Sequence, residues 1–291
     1  MGDIVFGDNQ YGKVACRLVR VSHDGQSGRN GLQDITVTTT LAGDFDGPHL
    51  HGDNRHLLPT DSHKNAVYAL ARRHGIGQLE DFGLRLARHL VHDTAPTIRR
   101  ARIHLQEHPW QRVNATAFRR YSGETRTATI TYDGTTAWAV TGIDDLALFQ
   151  TAGSQFHSFF KDRYTTLPET TDRSYATLIR AQWRHTDLLE GEAWRASYEQ
   201  SRDSLIDTFC TIRSTSTQQV LHALGRRLLE SCPSLAEVRL HMPNLHHPAA
   251  DLTPFGLDNP GEILIPIDRP HGLMEGTVLR ENAPAPGLSW W

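Results

Sequence analysis

Apolar and polar residues alternate with a period of two early in the chain. Val14, Cys16 and Leu18 alternate after Tyr11, and Ile35, Val37, Thr39 and Leu41 alternate again beyond the turn-rich segment SHDGQSGRNG. This pattern predicts an antiparallel hairpin. The period then lengthens. In PTDSHKNAVYALARRHG, Val67, Leu70 and Ala71 fall at helical spacing between a Pro-Thr-Asp start and a Gly75 stop. Leu79, Phe82, Leu86 and Leu90 mark a second helix that ends at HDTAP. Ile98, Ala101, Ile103 and Leu105 predict the next strand, and TATITYDGTTAWAV a hairpin around Asp133-Gly134.

The second half echoes the first. ATLIRAQWRH reads as a strand, and STQQVLHALGRRLLES as a helix with Val220, Leu221, Leu224 and Leu228 inward. After Cys232-Pro233, SLAEVRLHMP is a strand whose Leu235, Val238, Leu240 and Met242 repeat the spacing of Ile98, Ala101, Ile103 and Leu105. The recurring order of hairpin, helix and strand implies an internal duplication with its boundary near Gly142 to Thr151, so modules of residues 1–145 and 146–291 are expected. Antiparallel strands with segregated helices indicate an α+β fold, its helices on one face of the sheet.

Composition narrows the function. A formal charge of −3 over 291 residues argues against a dedicated nucleic-acid binder. No apolar run approaches the length of a membrane helix, and MGDIVFGDNQ lacks signal-peptide character. Cys16, Cys210 and Cys232 form no CxxC, so a reducing, cytoplasmic setting is expected. Seventeen histidines include HLHGDN and NLHHP, yet no HExxH or paired Cys/His spacing accompanies them, and no metal is expected. GxGxxG and Walker sequences are also missing, so no nucleotide cofactor is expected.

Several polar residues fall at predicted element ends. Lys13 opens the first strand, and Thr60 and Asp61 start a helix, where helix capping would account for them. Asn244 and His246 stand in a segment of turn-formers, and Gln218 in the first turn of a helix. The stretch FFKDRYTTLPETTDRSYAT, Phe159 to Thr177, reads as a charged loop in which Arg173 could pair with Asp172 or Glu169.

Taken in order, these segments resemble urate oxidase, the uricase family. The resemblance rests on YGK at Tyr11–Lys13, GDF at Gly43–Phe45 and GDNRHLLPTDSHKN at Gly52–Asn65. It continues through SQFHSFFKDRYTTLPETTDR at Ser154–Arg173, STQ at Ser216–Gln218, PNLHH at Pro243–His247 and PHG at Pro270–Gly272. It implies tandem tunnelling-fold modules assembled as a homotetramer around a tunnel, with active sites at subunit interfaces. It also implies oxidation of urate by O2 and water to 5-hydroxyisourate and hydrogen peroxide, without metal, flavin or haem.

By the same resemblance, Arg173 grips one edge of the flat purine anion, a task suited to the two-pronged guanidinium. Gln218 offers a donor and an acceptor to the opposite edge. Phe156 covers a ring face. Thr60 and Asp61 reach the ligand from the neighbouring subunit. Lys13, Thr60 and His246 form a proton relay, since a threonine hydroxyl alone is too weak a base. Asn244 holds oxygen above the ring. Thr217 stands where the family usually has valine, its backbone N–H bonding the purine. The C-terminal GLSWW is not a peroxisomal Ser-Lys-Leu address, again pointing to the cytoplasm. Two other readings stay open: a tunnelling-fold pterin or purine enzyme using Glu169 as its acid, and a purine-binding homologue without catalysis.

Overall fold

The computed structural model describes residues 4–291. Strands β1 (Tyr11–His23) and β2 (Asn30–Gly43) form the first hairpin, in register from Tyr11–Leu41 to His23–Asn30. A six-residue helix α1 (Asp46–His51) precedes α2 (Thr60–His74) and α3 (Leu79–His92). Then come β3 (Ile98–Glu107), a small hairpin of β4 (Trp110–Arg112) and β5 (Phe118–Arg120), β6 (Thr125–Tyr132) and the long β7 (Ala137–Phe156). The chain continues through β8 (Thr170–His185), α4 (Glu192–Thr211), α5 (Thr217–Ser231), β9 (Leu235–His246) and β10 (Ile267–Leu279). No described helix is long and apolar enough to cross a membrane.

Two compact units are present. The first takes in the chain up to Gly142 together with Arg184–Tyr198 and Pro284–Trp291. The second is Ile143–Trp183 with Glu199–Ala283. Strand order in the first unit is β1-β2-β3-β6-β7, and in the second β7-β8-β9-β10. In the first unit α2 and α3 lie against the sheet, α2 on β1 and α3 on β3 and β6. In the second, α5 lies against β9 and β10. The fold is thus α+β, with antiparallel strands and helices on one face.

The predicted inward positions form the first core: Ile35, Val37 and Leu41 of β2, Val67 of α2, Phe82, Leu86 and Leu90 of α3, and Ala101, Ile103 and Leu105 of β3. Each fully buried side chain of this size contributes roughly 1.5–3 kcal/mol. The two halves share a packing device. A Cβ on Gly83 of α3 would stand 2.9 Å from Leu105 Cδ1, and one on Gly225 of α5 would stand 2.6 Å from Val278 Cγ2. Both helices therefore approach their strands at a distance only glycine permits.

Three expectations need correction. Val14 does not alternate inward with Cys16, because the register slips between Lys13 and Cys16 and leaves Val14 exposed. Asn244 and His246 are not in a loop but at the end of β9, and Arg173, read within the charged loop of Phe159 to Thr177, lies on β8. The 20-residue α4 also lies outside every predicted element.

Inside the first unit, Arg126 and Glu80 form an ion pair at 2.8 Å with both side chains almost fully buried. Thr141 donates to Glu80 at 3.1 Å and lies 3.1 Å from His185 Nε2. Burial, reinforced by the charge of Arg126, pushes the His185 imidazole down to about 3, so the ring is neutral.

Candidate active site

The first unit brings together Lys13, Thr60 and Asp61. Lys13 follows Gly12 on β1, and a Cβ at Gly12 would meet the Thr39 carbonyl oxygen at 1.9 Å. Only glycine lets β1 lie this close to β2 there. Immediately afterwards comes the bulge, with Ala15 in the left-handed region at φ 57° and its N–H bonded to Thr38 Oγ1 at 3.1 Å. Bulges of this kind redirect neighbouring side chains. Lys13 itself is half-buried.

Thr60 and Asp61 are the first two residues of α2, behind Pro59 in the capping position. No side chain caps this helix, so Thr60 and Asp61 do not act as the caps that sequence preference suggests. The Asp61 carboxylate turns back on its own helix, to Lys64 at 2.5 Å and Asn65 at 2.9 Å. These contacts, with a smaller contribution from the charge of Lys13, hold it below the usual carboxylate range. The Ser62 N–H is taken by the Pro59 carbonyl at 2.9 Å, while the Thr60 and Asp61 N–H groups, at positions without an intrahelical acceptor, remain available to an anion.

The second unit brings together Phe156, Arg173, Thr217, Gln218, Asn244 and His246. Arg173, Asn244 and His246 line one cavity of 620 Å³, with Leu167, Thr170 and Asp172 also on its wall. Arg173 makes no ion pair among the described residues. Asp172 instead accepts the Gly153 N–H at 2.6 Å, and Glu169 pairs with Lys161 at 2.8 Å. The surface pairing open to Arg173 from sequence is therefore not formed. Its Nε is buried without a hydrogen-bond partner, and burial holds the guanidinium below its ordinary range. A desolvated guanidinium with an unused donor is poised for an anionic ligand.

Phe156 lies beside Arg173, the guanidinium carbon 5.3 Å from the ring centroid, and is stacked on Phe159 at 4.7 Å. Thr217 and Gln218 open α5, where Ser216 is a true cap accepting the Gln219 N–H at 3.2 Å. Thr217 is buried and Gln218 exposed. A tie brings Phe156 and α5 together: Gln155 N donates to Ser214 O at 2.7 Å, and the Ser154 and Ser214 hydroxyls meet at 3.2 Å. Phe156, Thr217 and Gln218 are not among the residues that line the 620 Å³ cavity. Tyr175, two residues beyond Arg173, escaped the sequence reading. Burial raises its phenol, partly offset by the Thr217 and Thr177 hydroxyls.

The remaining charges of the 159–177 stretch serve the loop. Asp162 accepts from Thr165 and Tyr164, and Arg163 lies over the Tyr164 ring at 4.5 Å. Glu169, the acid that a pterin enzyme would use, is exposed and held by Lys161. Among the described residues no three His, Cys, Asp or Glu side chains converge as metal ligands.

The placement of Lys13 and Thr60 at one strand–helix mouth, and of Arg173, Asn244 and His246 on one cavity, follows the order of motifs along the chain. Comparison with known proteins shows the family. The Uricase family model matches residues 9–131 and 139–275. Uricase of Arthrobacter globiformis is 40% identical over 289 residues, covering 99% of this chain and 94% of that one. Uricase of Dictyostelium discoideum is 30% identical over 285 residues, covering 95% and 98%. The crystal structure of the Arthrobacter globiformis uricase matches with a TM-score of 0.92 over 98% of each chain. The fold is accordingly the tandem tunnelling-fold arrangement, and with both halves matched, the chain belongs to the uricase family.

Proposed function

We propose that the protein oxidises urate with O2 and water to 5-hydroxyisourate and hydrogen peroxide. Two electrons leave the purine and reduce O2 to peroxide, while water supplies the hydroxyl group of the product. The observation that carries this reading is Arg173: a desolvated guanidinium with a free buried N–H, on the wall of a cavity shared with Asn244 and His246.

In this reading Arg173 and Gln218 hold opposite edges of the urate anion, Phe156 covers a ring face, and the Thr217 N–H bonds the purine. Asn244 holds O2 and then water above the ring. The second module, 146–291, supplies these groups. The first module, 1–145, of a neighbouring chain supplies Thr60 and Asp61, whose helix N-terminus favours negative charge. Lys13, Thr60 and His246 pass the proton that urate must lose before it becomes electron-rich enough to react with O2 directly. The assembly in this reading is a homotetramer whose sites are shared between chains, and exposed Val19 and Val21 of β1 and Leu273 and Leu279 of β10 leave both edge strands open to pairing between chains. Three free cysteines suit a reducing, cytoplasmic setting.

The purified protein is expected to consume urate, followed by its ultraviolet absorbance, with one peroxide formed per urate and no loss of rate after chelation. Binding of urate without turnover would instead favour a catalytically silent purine binder.

A further inference from the structure

Behind Lys13 and Thr60 lies a buried polar contact that the proposed relay does not use. His63, three residues into α2 from Thr60, is fully buried, and its Nδ1 stands 2.9 Å from the hydroxyl of Thr39, also fully buried. Thr39 is the cross-strand partner of Lys13, and its Oγ1 accepts the Lys13 N–H at 3.4 Å. One hydroxyl thus touches both the strand that carries Lys13 and the helix that begins with Thr60. The ring of His63 packs against Tyr11 at 5.4 Å, and the Tyr11 hydroxyl donates at 3.0 Å to the carbonyl of Leu58, two residues before the helix.

We infer that His63, through its hydrogen bond to Thr39, is a positioning residue that fixes the first turn of α2, and with it Thr60, relative to Lys13. The helix needs such an anchor because no side chain caps it. Uncapped first turns fray, since their N–H groups lack partners. Fraying here would move the Thr60 hydroxyl, the middle member of the proposed relay, and proton transfer is sensitive to displacements well under a hydrogen-bond length. The donor arithmetic closes at Thr39, while His63 Nε2 is buried without a hydrogen-bond partner. Thr39 Oγ1 accepts from Lys13 N and has its own hydrogen to donate to His63 Nδ1.

The ring is suited to the role because it stays neutral. Burial, offset only in part by the Leu58 carbonyl and reinforced by the charge of Lys13, pushes the His63 imidazole down to about 4. The other titratable neighbour, Tyr11, is pushed up to about 12 by burial, so it too keeps one form. The link is therefore fixed across the range in which urate is an anion.

The inference rests on the proposed relay for its catalytic consequence, but its structural half can be tested without urate. Thr39→Val keeps the side-chain volume and the strand preference while removing the hydroxyl, and Thr39→Ser restores it. His63→Leu removes the link from the other side. Urate turnover is measured in the wild-type and Thr60→Ala backgrounds, and hydrogen exchange is followed at the Ser62 to Lys64 amides.

Thr39→Val is expected to lower kcat about 10-fold or more with KM within about two-fold, and Thr39→Ser to recover most of it. In the Thr60→Ala background Thr39→Val should cost nothing further, because its effect passes through Thr60. First-turn amides of α2 should exchange about 10-fold faster in Thr39→Val, with α3 unchanged. Unchanged first-turn exchange in Thr39→Val, or losses that add fully with Thr60→Ala, would overturn the inference. Should the wild-type protein leave urate untouched, the proposed function fails while the exchange experiment still decides the positioning role.

Discussion

Replacing Arg173 by glutamine should weaken urate binding and yet stabilise the empty protein. The side chain pairs with no carboxylate among the described residues, its Nε is buried without a partner, and the guanidinium is held below its ordinary range by burial. A buried donor left unsatisfied costs about 1–3 kcal/mol. Glutamine removes that donor along with the charge, so the ligand-free variant should gain on the order of 1 kcal/mol. In a chain of this length that is a rise in Tm of roughly 1.5–2 °C. The ligand side runs the other way. Two charge-assisted hydrogen bonds to an anion are worth about 1.5–3 kcal/mol each, so losing both should raise the Kd at least ~100-fold. Arg173→Lys keeps the charge but not the two-pronged geometry and should fall between, at roughly 10-fold. Equilibrium dialysis of urate under anaerobic conditions gives the affinities without turnover, and calorimetry of the empty variants gives Tm. Destabilised empty Arg173→Gln with unchanged urate affinity would refute the reasoning, because the arginine would then be a structural residue.

Four further outcomes follow from the same structure. Lys13→Met should reduce kcat at least ~100-fold while urate affinity changes only a few-fold, read from steady-state kinetics beside anaerobic binding. Gly12→Ala should cost about 1–3 kcal/mol in urea unfolding, since its Cβ would sit 1.9 Å from the Thr39 carbonyl oxygen, and should lower turnover by shifting Lys13. Glu80→Gln should cost about 3 kcal/mol by removing the buried counter-charge of Arg126, which keeps only a longer pairing with Glu107 at 3.9 Å. Stability should fall as pH drops below about 6.5, because neutral His63 and His185, held down to about 4 and about 3, bind protons only when the chain unfolds. Their contribution is complete above the unfolded value near 6.5 and declines by about 1.4 kcal/mol per pH unit for each histidine towards those folded values. His185→Phe should flatten that slope in urea titrations, and an unchanged slope would remove His185 from the explanation.

The strands and helices with apolar inward faces were legible in the sequence because their periods were clean. Ile35, Val37 and Leu41 on β2, and Phe82, Leu86 and Leu90 on α3, occupy the positions that alternation and helical spacing assign. Helix α4 was not legible because its buried side is part hydroxyl: Ser197 and Ser201 are buried beside Trp194, Tyr198, Leu205 and Phe209. The Ser201 hydroxyl lies 3.5 Å from Cys232 Sγ, and Ser204 meets Ser231 at 3.1 Å. Polar contacts on an inner face erase the period that reveals a helix. The inward run through Val14 failed for a different reason. A bulge inserts a residue and reverses the facing of what precedes it, and alternation carries no sign of that.

At the site, the helix starts that hold Thr60 and Gln218 were legible, whereas Arg173, Asn244 and His246, read as loop residues, lie on β8 and β9. One-residue arguments also misjudged the state of several side chains. Thr and Asp at a helix start suggested caps for α2, whereas Pro59 holds the cap position and the first turn is left open. Arg173 beside two acids suggested an ion pair, whereas both acids are engaged elsewhere. These are choices among competing partners in three dimensions, which sequence spacing does not rank. His63 could have been noticed: it shares the inward face of α2 with Val67, Leu70 and Ala71, where a polar ring requires a partner.

The most direct test of the central claim, urate oxidised at a site shared between chains, is complementation between two inactive variants. Lys13→Met and Arg173→Gln chains are co-expressed with different tags, and assemblies containing both are isolated. If each site takes Lys13 from one chain and Arg173 from its neighbour, random pairing should restore roughly a quarter of the wild-type urate oxidation. Mixed assemblies that remain as inactive as either variant alone would contradict the claim.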